Sequence, residues 1–89
     1  MKAVITVVGK DRVGIIYEVS KVLSETNVNI LDISQTIMKD YFTMMMITDV
    51  SGSNKEFGEL KKILKDYATS AAVDISIQHE DIFNSIHKI

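Results

Sequence analysis

An α+β sandwich, four antiparallel strands with two helices on one face, is the fold class these 89 residues predict. Three observations carry it. Two segments place apolar residues at steps of three and four. Four others alternate apolar and polar residues or run apolar on both faces. The two kinds follow one another as β-α-β-β-α-β. With 46% apolar and 25% charged residues, no Pro and four Gly, the chain has the composition of a folded domain. Its length fits one module and leaves no room for separate catalytic and regulatory domains. A domain of this size buries only about 60 to 65% of its unfolded surface, so self-association is a physical route to further burial.

Residues 3–8, AVITVV, are apolar on both faces and rich in β-branched types, which predicts a central strand ending at Gly9. From Val13 the period changes: Ile15, Ile16, Val19, Val22, Leu23 and Thr26 form one helical face, opposite Glu18, Lys21 and Glu25. Asn27 and Asn29 bracket the end of that helix. Leu31, Ile33 and Ile37 then alternate with Asp32, Ser34 and Thr36, the pattern of an edge strand with one wet face. Lys39-Asp40 breaks the pattern before residues 41–50, YFTMMMITDV, a second central strand; residues 28–51 thus read as a hairpin. Ser53 followed by Glu56 reads as a capping box opening a second helix, with Phe57, Leu60, Leu64 and Tyr67 inside and Lys61, Lys62 and Lys65 outside. Val73, Ile75, Ile77 and His79 alternate with Asp74, Ser76 and Gln78 as a fourth strand.

Two right-handed crossovers, with the most apolar strands placed centrally, convert this order into a ferredoxin-like sandwich whose second and fourth strands are edges. Both helices then cover one face of the sheet. The other face keeps apolar residues that need cover. Residues 81–89 carry Ile82, Phe83, Ile86 and Ile89 at helical spacing and read as a short third helix, for that face or for a second subunit. The domain spans 1–79, with 80–89 as its helical extension.

Ten Lys and Arg against twelve Asp and Glu give a net charge of -2 without a basic stripe, which argues against nucleic acid as a partner. The absence of Cys removes disulfides and thiol chemistry and fits a reducing, cytoplasmic setting. The apolar start is short and interrupted by Thr6, so neither a signal peptide nor a membrane anchor is expected.

The turn Gly9-Lys10-Asp11-Arg12-Val13-Gly14-Ile15 is the most informative stretch. Asp11 can cap the helix, and Gly14 removes a side chain from its surface. Free amides at the helix start suit a carboxylate or phosphate, and Arg12 offers a fork of donors. The structural alternative is a plain cap at Asp11 and close packing at Gly14.

The run KDRVGII, the helix after it and Val28-Asn29-Ile30 at the start of the second strand resemble the ACT domain, the small-molecule sensing module of amino-acid metabolism. The resemblance covers residues 2–79 and extends to small stand-alone ACT proteins related to the glycine cleavage system repressor. It implies a homodimer joined side by side through the first helix and second strand, with an amino acid or similar small carboxylate at the seam. By resemblance, the loop amides at Asp11, Arg12, Val13, Gly14 and Ile15 would hold the carboxylate, and Asn29 would meet an amino or polar group. As a turn residue in left-handed geometry, Asn29 has an equally good structural explanation. Val13 stands where members often carry Pro, and Lys10 where some amino-acid-binding members carry a smaller or amide side chain.

Rival chemistries fit less well. Gly9 and Gly14 satisfy the glycine spacing of a P-loop, but Ile15 and Ile16 stand where Lys and Ser or Thr are required. An acylphosphatase would use a loop Arg and a second-strand Asn, as Arg12 and Asn29 suggest, yet the loop does not match. An RNA-binding sheet needs exposed aromatics that the first strand lacks. Met44, Met45 and Met46 must point alternately to opposite faces, which suits packing better than metal ligation. His79, Glu80, Asp81 and His87 show no metal-ligand spacing. The reading is a non-enzymatic regulatory module without cofactor or metal, signalling to an unidentified effector protein; its rival is a structural or interaction module with no small-molecule ligand.

Overall fold

The computed structural model describes residues 1–10 and 12–86, with the backbone alone at Arg12. The elements run β1 (Lys2–Gly9), α1 (Arg12–Glu25), β2 (Asn29–Met38), β3 (Tyr41–Asp49), α2 (Phe57–Ala71), β4 (Asp74–His79) and α3 (Glu80–Ile86). The four strands form one antiparallel sheet in the order β2-β3-β1-β4. This is the expected ferredoxin-like sandwich, with the two most apolar strands at its centre.

Register explains the core. Ile5 lies opposite Met46 on one side and Ile77 on the other, and Val7 lies opposite Met44 and Ile75. These side chains face the helices, where Ile15, Val19 and Leu23 of α1 and Leu60 and Leu64 of α2 are also buried. Each fully buried aliphatic side chain contributes about 1.5–3 kcal/mol, so this layer holds the two helices on the sheet. Met44 and Met46 lie in it; Met45, paired with Thr6, faces away and stays 37% exposed. Thr48 is fully buried yet satisfied, because its hydroxyl donates to the Ala3 carbonyl at 2.9 Å.

Both long helices end in the same motif. After α1, the Val28 amide donates to the Leu23 carbonyl and the Asn27 amide to Ser24, with Asn27 left-handed at φ 58°. After α2, the Val73 amide donates to Ala68 and the Ala72 amide to Thr69, with Ala72 at φ 56°. The left-handed residue is therefore Asn27, whose Nδ2 also donates to the Gly52 carbonyl at 2.9 Å. Asn29 is instead the first residue of β2, so its expected alternative role in the turn is not the one it has.

Three details differ from the sequence pattern. The capping box of α2 uses Glu56 and Glu59, with the Glu56 amide donating to Glu59 Oε1 at 3.4 Å. Ser53 sits too early for that helix start and turns onto its own loop, accepting from the Lys55 amide and donating to the Lys55 carbonyl. In β2, Leu31 is an extra residue between the pairs Ile30–Thr48 and Asp32–Ile47. This bulge lets Ile30 and Ile33, three apart in sequence, both meet helix-side partners, Thr48 and Met46. Beyond it, β2 is exposed on both faces instead of the one that its alternation predicts.

The third helix begins at Glu80, directly after β4, and packs against β1 and β4. Ile82 and Ile86 on it remain 50% and 60% exposed. Val4 on the face without α1 and α2 is buried, whereas Thr6 and Val8 farther along β1 are only half-buried. Ile89 and His87 lie outside the described residues.

Candidate functional site

Gly9 sets the geometry where β1 passes into α1. A Cβ there would stand 2.5 Å from Ile15 Cδ1 and 2.8 Å from Val73 Cγ1. Only glycine lets the first turn of α1 and the start of β4 close around the end of β1.

Above that contact, between the start of α1 and the end of α2, lies an open groove of about 770 Å³. Its floor and walls are mainly apolar, from Val8, Gly9, Ile15, Ala71, Ala72 and Val73. Lys10, Glu18, Asp74 and the rings of Tyr41 and Tyr67 complete it. Lys10 Nζ stands 5.6 Å above the centre of the Tyr41 ring, within cation–π range, and ties the loop to the hairpin tip. A volume of this size lies within the range of small-molecule sites.

The expected loop residues divide. Gly14 and Ile15 line the groove, while Val13 is 75% exposed and does not. Asp11 and the Arg12 side chain lie outside the described residues. Asn29 belongs to a different hollow, of about 470 Å³, with Asn27, Asp49 and Gly52 at the far end of α1. The 14 residues of α1 span about 21 Å, so the loop and Asn29 of one chain cannot grip one small molecule. Asn29 pairs across the ladder with Asp49. The Asp49 carboxyl is held below its ordinary value chiefly by the Ser51 amide, at 2.9 Å, with the Ser51 hydroxyl and the Met1 ammonium adding to it.

A third surface lies along the β2 edge. Ile33 and Ile37 sit on the helix side of β2 and are 43% and 59% exposed. Val13 and Tyr17, one turn apart on α1, are exposed as well, and α1 is the helix that touches β2. At the other end of the sheet the His79 ring stacks on Phe57, with centroids 3.9 Å apart and planes at 19°. Among the described residues no three His, Cys, Asp or Glu side chains converge on a possible metal position, and no helix is long and apolar enough to cross a membrane.

The ACT domain model matches residues 2–78. The chain belongs to the ACT domain family. A UPF0237 protein of Clostridium perfringens is 63% identical over 89 residues, all of both chains. An ACT domain protein from Streptococcus pneumoniae superposes with a TM-score of 0.79 at 43% identity, covering 93% of each chain. A structure described as a putative glycine cleavage system transcriptional repressor has a TM-score of 0.75 at 18% identity, over 86% of this chain and 45% of that one, and is alike in fold. In this ACT domain the loop motif therefore opens onto a groove that sequence reading did not foresee. Tyr67 reads as part of the α2 stripe, and nothing in linear order joins it to Lys10, Tyr41 and Asp74. Only the packing of α2 beside α1 does so.

Proposed function

We propose that this ACT domain is a non-catalytic, cytoplasmic regulatory module that pairs with a second copy along β2 and α1. It binds an amino acid or similar small carboxylate at the resulting seam and signals to an effector protein. The observation that supports the reading best is the β2 edge: a ten-residue strand with open ladder groups and exposed Ile33 and Ile37, beside exposed Val13 and Tyr17. An open edge of that length is a template for another strand unless it is covered.

Two-fold pairing of β2 with β2 runs the strands antiparallel and sets each α1 antiparallel to its mate. The start of one α1 then lies near the end of the other. Such pairing brings the loop residues Asp11, Arg12, Val13, Gly14 and Ile15 of one copy toward Asn29 of its mate, resolving the separation of about 21 Å within a single chain. Loop amides donate to a carboxylate, and the Asn29 carboxamide both donates and accepts. A ligand touching both copies binds the assembled state preferentially and strengthens it.

The test is a thermal melt against the twenty amino acids, run with sedimentation to read the oligomer. A ligand at about a hundred times its Kd adds about 2.7 kcal/mol, a rise on the order of 10 °C for a domain of this size. The expected result is a dimer and one amino acid or close set that raises Tm, with the rise lost in Asn29→Ala. A monomer with no responsive amino acid overturns the reading and favours an interaction module.

A further inference from the structure

We infer that the hollow where the loop between β3 and α2 meets the end of β4 binds a small organic phosphate, a phosphate monoester on a flat apolar body. The ladder assembles its walls. Lys2 pairs with Asp49 and Ala3 with His79, so Val50 and the end of β4 flank the start of β1. The Val50 amide donates to the Met1 carbonyl at 3.0 Å and holds the loop there. The hollow measures about 420 Å³, within the range of small-molecule sites. It shares no residue with the groove at Gly14 or with the β2 seam. β1 runs about 23 Å from Gly9 to Lys2, so the β1–α1 loop and this hollow lie at opposite ends of the sheet.

The charge of the ligand follows from the lining. The Lys55 ammonium and the His79 imidazole both border the hollow, and among the described residues neither makes an ion pair or a side-chain hydrogen bond. The Ser53 hydroxyl, which donates to the Lys55 carbonyl at 2.8 Å and accepts from the Lys55 amide, fixes the turn that carries Lys55. Met1 lines the hollow too, but Asp49 at 3.6 Å matches the charge of its ammonium. Among the described residues no carboxylate lines this space. Glu56 is held in the capping box of α2, and Glu80 and Asp81 border a separate hollow with Lys2 and Ile82. Two nitrogen groups without an acid beside them select an anion. A phosphate monoester brings close to two negative charges at neutral pH and three acceptor oxygens, enough for the Lys55 ammonium and a ring N–H of His79 together. A zwitterionic amino acid would find no acid here for its ammonium.

The body of the ligand follows from the opposite wall. Val50, Leu60 and Phe57 are apolar, and Phe57 is already stacked on the His79 ring. A flat apolar group packs against Phe57 and the two aliphatic side chains while its phosphate reaches Lys55 and His79. Occupancy would join the loop after β3 to the start of α3, which begins at Glu80 directly after His79.

The experiment is calorimetric titration of the full chain with phenyl phosphate and 1-naphthyl phosphate, beside inorganic phosphate and phenol as the two halves of the ligand. Saturable binding of at least one aryl phosphate is expected, with each half weaker by about tenfold or more. Lys55→Ala, at an exposed position, and His79→Phe, which keeps a ring against Phe57, should each weaken aryl phosphate binding about tenfold. Lys10→Ala, at the other end of the sheet, should leave it unchanged. In NMR spectra of the unaltered chain the ring protons of Phe57 and His79 should shift with ligand and those of Tyr41 should not. No saturable binding of either aryl phosphate overturns the site. So does affinity that survives both Lys55→Ala and His79→Phe, equal affinity for inorganic phosphate, or a shift at Tyr41 with Phe57 and His79 silent.

Discussion

The two edges of the sheet are built to opposite ends. β4 is six residues long, presents Asp74, Ser76 and Gln78 on one face, and is flanked by α2 and α3. β2 is ten residues long and carries Ile33 and Ile37 exposed on the helix side of the sheet. Short, polar and covered edges resist further pairing, whereas long apolar ones invite it. The difference teaches that the fold is finished on one side and left open on the other, which is why the β2 edge rather than the β4 edge is the place to expect a second copy.

The largest expected effect tests the closed edge. Ile77 is 3% exposed in the core of β4, so Ile77→Ala should lower the free energy of unfolding by about 2–5 kcal/mol in urea melts. Ser76→Ala, on the opposite face of the same strand, should stay within about 0.5 kcal/mol. Equal effects would mean that β4 is not packed as described.

Next comes the open edge. Ile37→Glu should weaken self-association about ten- to a hundredfold in sedimentation while changing the stability of the single chain little. Ser76→Glu, its counterpart on β4, should leave association unchanged. A dimer untouched by Ile37→Glu would move the interface elsewhere, the exposed Ile82 and Ile86 of α3 being the next place to look.

Smaller effects belong to the turns that lead into each edge. Before β2 the left-handed position is held by Asn27, and Asn27→Ala should cost about 1 kcal/mol through the lost Gly52 bond and the crowded Cβ. Before β4 the same position is held by Ala72, and Ala72→Gly should stabilise by about 0.5–1 kcal/mol by relieving that crowding. Opposite signs in chemical denaturation would sharpen the contrast; equal signs would break it.

The smallest effect is electrostatic and sits at the base of the β2 edge. The folded carboxyl of Asp49 titrates below its ordinary value of 3.8, so its contribution is complete above that value. It is lost as pH falls through the lowered folded value. Asp49→Asn should flatten this part of the acid-stability profile, measured by melts between neutral pH and pH 2, and leave its slope near neutrality unchanged.

Much of this fold was legible in the residues. Period alone separated helices from strands, and the apolarity of residues 3–8 and 41–50 placed those strands at the centre. The alternation of Met44, Met45 and Met46 assigned two of them to the core and one to the outside face. Less legible were features decided by competition between neighbours. Asn27 and Asn29 are the same residue type two apart, and only the hydrogen bonds of Val28 and Asn27 back into α1 decide which one turns left-handed. Ser53 and Glu56 both looked like cap partners, and the actual start at Phe57 passed the role to Glu56 and Glu59. Of the site, the loop at Gly14 and Ile15 was visible as a motif. The groove beside it was not, because its walls come from three stretches that only the packed sandwich brings together.

The bulge at Leu31 has a consequence for length change in the chain. Deleting Leu31 would place Ile30 and Ile33 two residues apart, keep both on the helix side, and let the ladder run without interruption from Asn29 to Met38. Such a shortened chain would keep its core. It would lose the local twist that an extra residue imposes and gain a straighter, continuous rim. Straight apolar rims recruit strands without selectivity. One supernumerary leucine thus keeps the β2 rim from running as a single straight ladder.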